Sequence, residues 1–185
     1  MKIKFDTILA TTCLGLLCIG CAPDAARTTS EAEVPDIIKV LAAEKEICAF
    51  TASGVQIYAC RSKKDAPAQF EWTLKGPEAG LFDGKGRKVG KHYAESGPVW
   101  ESNDGSRVFG EVEKRADSPD ATAIQWLLLK AKKTEGQGVF GHVTSIQRIK
   151  TVGGKAPTGG CDETNLGKEL RVPYAATYKF YVSEP

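Results

Sequence analysis

The longest alternation of apolar and polar positions lies near the C-terminus. There Val172, Tyr174, Ala176, Tyr178, Phe180 and Val182 share one parity, opposite Arg171, Thr177 and Lys179. Successive side chains of a strand point to opposite faces, so this spacing predicts a strand with one buried face. A β-rich run at residues 55–60 follows a turn signal at Ser53-Gly54, and residues 70–74 and 88–93 are further strand candidates. Residues 98–102 and 106–114 read as a hairpin around Asn103-Asp104-Gly105, because Asp-Gly favours a tight turn with positive φ. In its second arm Val108, Gly110 and Val112 alternate with Arg107, Phe109 and Glu111. Residues 124–129 are apolar on both faces, the pattern of a central strand. A last candidate, 139–151, lies between Gly136 and Gly138 before it and Gly153-Gly154 after it. Helical spacing occurs only at residues 34–45, with Pro35 in the first turn and Ile37, Ile38 and Leu41 on one side. The expected fold is all-β: a single-domain antiparallel β-barrel or β-sandwich, with a short N-terminal helix or extended arm.

The first residues follow a different logic. Lys2 and Lys4 precede an apolar run at residues 7–20 that ends on Gly20-Cys21. A positive start, a short apolar stretch and a small residue before the cut mark residues 1–20 as an export signal. The run is too short to span a bilayer, which takes roughly 20 apolar residues. Its end resembles the lipobox of bacterial lipoproteins, with Cys18 where that motif usually has Leu. The resemblance implies lipidation of Cys21 and an anchored protein in the cell envelope, at the outer membrane or periplasmic face of a Gram-negative cell. Residues 21–33 are small and polar and read as a flexible tether, which leaves 34–185 as one β-rich domain.

Charge narrows the partners. The formal net charge is +2, and removal of the signal lowers it to about +1. Nucleic acid needs a clustered basic face, and this balance provides no case for one. Of six cysteines, Cys13 and Cys18 leave with the signal and Cys21 takes the lipid. Cys48, Cys60 and Cys161 remain in a compartment that permits disulfides, so three pairings are open.

Gly54-Val55-Gln56-Ile57-Tyr58-Ala59-Cys60, Val89-Gly90-Lys91-His92-Tyr93-Ala94, Pro98-Val99-Trp100-Glu101, Trp126-Leu127-Leu128-Leu129, Thr151-Val152-Gly153-Gly154, Gly160-Cys161 and Arg171-Val172-Pro173-Tyr174 occur in one order. This series resembles the exported family catalogued as domain of unknown function 3455. The resemblance covers roughly residues 48–182 and implies an exported, β-rich protein with no activity to carry over. Its two cysteine-bearing blocks imply a bridge between Cys60 and Cys161, with Cys48 free and buried.

Chemical motifs are sparse. Gly136-Gln137-Gly138-Val139-Phe140-Gly141 has the dinucleotide spacing, but that motif works only where a helix begins in it, and strand-like residues follow here. Gly86 to Lys91 is one residue short of a phosphate-binding loop and reads as a turn. With two histidines and no CxxC beyond the signal junction at Cys18-Ile19-Gly20-Cys21, the chain offers no metal-ligand pattern, and neither a cofactor nor a catalytic residue is assigned. The best polar group is His92, Tyr93, Trp100 and Glu101, with Arg148 nearby and Gln56 available to a barrel interior. His92 and Glu101 flank a turn at residues 95–97, so adjacent strands would bring them to one face, as a ligand clamp, an acid/base pair or a structural network. The expected function is non-catalytic binding of a small molecule, glycan or envelope protein, with the membrane as partner through the lipid. An enzyme using His92 and Glu101, or a purely structural lipoprotein, are the alternatives.

Overall fold

The computed structural model describes residues 33–184. The expected export signal, Cys21 and all but the last residue of the tether lie outside them. Eight strands follow in order: β1 (Glu44–Lys63), β2 (Ala66–Phe82), β3 (Lys88–Ala94), β4 (Pro98–Ser102), β5 (Arg107–Ala116), β6 (Trp126–Glu135), β7 (Ser145–Gly153) and β8 (Glu169–Ser183). Each pairs antiparallel with the next, and β8 returns to pair with β1, so the sheet closes into a barrel rather than a sandwich. Closure removes both sheet edges, which would otherwise offer unpaired backbone to other chains.

Two local expectations are corrected. Residues 34–45 form no α-helix: a single 3-10 turn at Asp36–Ile38 is followed by β1 from Glu44. The segment lies across the outside of the barrel, with Ile38 buried against Trp126 and Ile149, and Gln147 Nε2 donates to the Ile38 carbonyl at 2.8 Å. A helix this short gains too little from its own bonds to compete with that docking. Ser53-Gly54 is not a turn either but the middle of β1. Gly54 is there for closeness: a Cβ would stand 2.2 Å from the Glu78 carbonyl oxygen and 2.5 Å from the Ala79 Cα. The chain turns instead at Lys64 and Asp65, after a much longer arm.

The interior follows the parity read from β8. Tyr174, Ala176, Tyr178 and Phe180 are all buried. Large and small residues alternate around the ring, so that Trp100 has room because Gly110 faces it, 2.8 Å from where a Cβ would be. β6 is covered on both sides, with Leu127 and Leu129 in the main core and Trp126 and Leu128 beneath the N-terminal segment.

One end of the barrel is plugged. The loop between β6 and β7 folds inward and buries Phe140 and Val143; the Phe140 ring lies 4.6 Å from Phe180 and 6.1 Å from Phe50. This is the glycine-rich hexad, and its amides serve the protein's own carboxylate. Asp104 Oδ2 accepts from the Val139 N–H at 2.8 Å, and Oδ1 accepts from the Ser106 N–H and hydroxyl at 2.9 and 2.6 Å. Burial opposes ionisation of Asp104, but these bonds prevail and hold its carboxyl at about 2. At the other end, the bridge Cys60–Cys161 ties residues 154–168 to β1, and Trp72 Nε1 donates to the Gly159 carbonyl at 2.9 Å. Cys48 is free, as the family resemblance implied, but half-buried rather than buried.

Candidate functional site

Above the aromatic plug the barrel opens into a pocket of about 380 Å³. Three rings in mutual contact line its inner part. His92 stacks on Trp100 with centroids 4.4 Å apart and planes 9° from parallel. Tyr178 meets both edge-on, at 4.9 and 5.2 Å. Val112, Leu127 and Leu129 line the pocket's sides, and Leu74, 53% exposed, also borders it. The ladder explains the grouping: His92 is paired with Trp100 across β3 and β4, while Arg148 on β7 lies between Leu127 of β6 and Tyr178 of β8.

Three polar groups on this lining are buried without partners: Gln56 Nε2, Trp100 Nε1 and the Tyr178 hydroxyl. Gln56 is 2% exposed and its Nε2 makes no hydrogen bond. The Tyr178 hydroxyl makes no well-formed hydrogen bond, although the Tyr174 hydroxyl and the Arg148 guanidinium lie near enough to influence its proton. A buried unsatisfied group costs about 1–3 kcal/mol, so three on one pocket lining call for a reason. Burial pushes the Tyr178 phenol up, which keeps its proton in place as a donor.

His92 is the opposite case. Its Nδ1 lies 2.8 Å from the Val99 carbonyl oxygen, which can only accept, so Nδ1 carries the proton and Nε2 is a bare acceptor. Burial, reinforced by Arg148 against the Val99 bond, lowers its pKa to about 3, and the ring is neutral at pH 7. Arg148 donates from Nε and Nη2 to the Gln125 carbonyl, at 3.0 and 2.8 Å, which fixes the guanidinium at the pocket.

Of the residues singled out in the sequence, Gln56, His92, Trp100 and Arg148 line this pocket, and Tyr93 and Glu101 do not. The expected His92/Glu101 pair is corrected. The strands do pair across the turn, but in the register His92 with Trp100 and Lys91 with Glu101, so Glu101 faces outward. There the Tyr93 hydroxyl donates to Glu101 Oε2 at 2.8 Å and Lys91 Nζ lies 3.1 Å from Oε1. These two contacts hold the Glu101 carboxyl below its usual range. That group is a surface network with no access to the imidazole. The tryptophans share no platform either: Trp100 is inside, Trp126 lies under the N-terminal segment and Trp72 rests on the disulfide-tied loop. Sequence reasoning passed over Tyr178, Leu127 and Leu129, whose inward parity was readable, and Arg115, which carried no signal.

Among the described residues no group of three His, Cys, Asp or Glu side chains converges as a metal site requires.

The fold and site define an eight-stranded up-and-down barrel, plugged at one end and open at the other, the strand number at which an interior is either filled or holds one small ligand. Residues 41–182 match the family described as protein of unknown function (DUF3455), and the chain belongs to that family. No curated protein matches it.

Proposed function

We propose that this protein is an exported, lipid-anchored component of the cell envelope that binds a small molecule in the mouth of its barrel without transforming it. One observation carries the binding: a pocket of about 380 Å³ on whose lining Gln56 Nε2 and the Tyr178 hydroxyl are buried and unpartnered. A ligand that accepts hydrogen bonds supplies both missing partners. The volume holds about a dozen water-sized units at roughly 30 Å³ each, which sets the size of an occupant. Apolar lining favours a small molecule over a glycan, for which the three dispersed tryptophans make no stacking surface. Loss of the His92/Glu101 pair weighs against the enzymatic alternative.

Export rests on Lys2, Lys4, the apolar run at 7–20 and Gly20-Cys21. The Cys60–Cys161 bridge supports it, because disulfides persist in oxidising compartments. Two or more acyl chains on Cys21 would hold the protein stably at the membrane. Cell fractionation tests this: Cys21→Ala moves to the soluble fraction, and equal membrane recovery of both proteins refutes the anchor.

Binding is tested by titrating the purified protein with a neutral fluorescent apolar probe, N-phenyl-1-naphthylamine. Saturation at one probe per chain is expected, lost in Val112→Trp, whose indole fills the mouth, with circular dichroism checking the fold. No saturation, or wild-type binding by a folded Val112→Trp, overturns the reading.

A further inference from the structure

The charges around the mouth narrow the ligand further. Four charged side chains line the pocket: Lys75, Glu95, Arg115 and Arg148. Lys75 is paired with Glu169, and Glu95 lies 3.7 Å from Arg107. Among the described residues no carboxylate stands within ion-pair distance of Arg115 or Arg148. The mouth therefore carries two cations that the protein leaves uncompensated, one of them fixed by the Gln125 carbonyl.

The unpartnered neutral groups match in kind. Gln56 Nε2 is a donor, and the Tyr178 hydroxyl keeps its proton to donate. One acceptor of the inner wall, His92 Nε2, belongs to a ring stacked against Trp100. Arg115, Leu127, Arg148 and Tyr178 follow one another across the ladder from β5 to β8, and Gln56, Leu74, Val112 and Leu129 line the same pocket. An anion buried here meets what it needs in a low-dielectric site, namely opposite charge and hydrogen-bond donors. A cationic ligand would meet two guanidiniums. A neutral one would leave them unused.

Resting on the reading of the mouth as a binding site, we infer that its ligand is a small amphiphile with one carboxylate head and an apolar body. The carboxylate sits between Arg148 and Arg115 and accepts from Gln56 and Tyr178; the body lies along the leucines.

Three ligands of one chain length, decanoate, decanol and decyltrimethylammonium, decide this by displacing N-phenyl-1-naphthylamine. Decanoate is expected to displace it at least about tenfold more effectively than decanol, with the ammonium weakest, as charge-assisted hydrogen bonds require. The decanoate-to-decanol ratio, taken within each protein, separates the head group from losses shared by all ligands. It falls toward one in Arg148→Gln, and in the exposed Arg115→Gln and the neutral Gln56→Leu it drops several-fold, so the test does not depend on the folding of one variant. Rising salt lowers it too. Equal displacement by decanol, preference for the ammonium, or a ratio unmoved in the folded variants overturns the carboxylate while probe binding upholds the pocket. A wild-type protein that binds no probe overturns the pocket reading itself, which is a different result.

Discussion

His92 and Glu101 point to opposite sides of one sheet: the imidazole is stacked on Trp100 inside the barrel, and the carboxylate holds Tyr93 and Lys91 on its outer surface. The buried ring has a consequence for stability. Its folded pKa is lowered to about 3 from the ordinary imidazole value of 6.5. Between these values the unfolded chain takes up a proton that the folded one refuses. His92 therefore leaves stability intact above about pH 6.5 and removes it progressively as pH falls toward 3. The expected slope is up to about 1.4 kcal/mol per pH unit. Urea unfolding of wild type and His92→Phe between pH 6.5 and 4 checks this. The variant is less stable at neutral pH, since the Val99 carbonyl loses its partner, but its slope in that window is shallower. Equal slopes would show that His92 does not titrate with folding.

The bridge between Cys60 and Cys161 closes a loop 101 residues apart in sequence. By the chain-entropy argument, cross-linking a loop of about 100 residues stabilises by roughly 4–5 kcal/mol, less any native strain. Cys60→Ser with Cys161→Ser is expected to lower the urea midpoint accordingly. Protease cleavage within residues 154–168 should quicken as well, since the bridge and the Trp72 bond hold that loop down. A midpoint unchanged from wild type would contradict the assignment.

Burial, with Glu46 adding to it, pushes the Cys48 thiol up to about 12. Its thiolate fraction at pH 8 is then on the order of a thousandfold below that of an ordinary cysteine. Iodoacetamide is expected to leave Cys48 unmodified in the folded protein and to label it rapidly in urea, read by peptide mass. Fast labelling under native conditions would show that the thiol is open to solvent.

Gly54→Ala places a methyl group where the Glu78 carbonyl and the Ala79 backbone already stand. Neither neighbour is a flexible side-chain end, so β1 and β2 must separate. A loss of about 1–3 kcal/mol or more is expected by chemical unfolding. Gly84→Ala, in open space by the same measure, is the control and should change stability little. A tolerated Gly54→Ala would mean that the strands part easily there.

Much of the fold could be read from local pattern. The parity of β8, the Asp104-Gly105 hairpin and the two-faced apolar run of β6 each report a side chain's own surroundings, which hydrophobic spacing records directly. The Cys60–Cys161 pairing came by another route, from the family's cysteine-bearing blocks, since three cysteines by themselves left three bridges open. The misread stretches are those where a distant partner decides. Gly54 looks like a turn residue because glycine serves both turns and close strand contacts, and nothing nearby in sequence announces Glu78 and Ala79. Residues 34–45 have helical spacing, but the surface that captures Ile38 is built from β6 and β7, about 90–110 residues away. The site divides the same way. Gln56, His92, Trp100 and Arg148 could be chosen as polar or aromatic residues on strands, whereas their company depended on register. A shift of one residue between β3 and β4 would have exchanged Trp100 for Glu101 opposite His92, and only closure of the barrel, through β8 onto β1, brought Tyr178 to the same pocket.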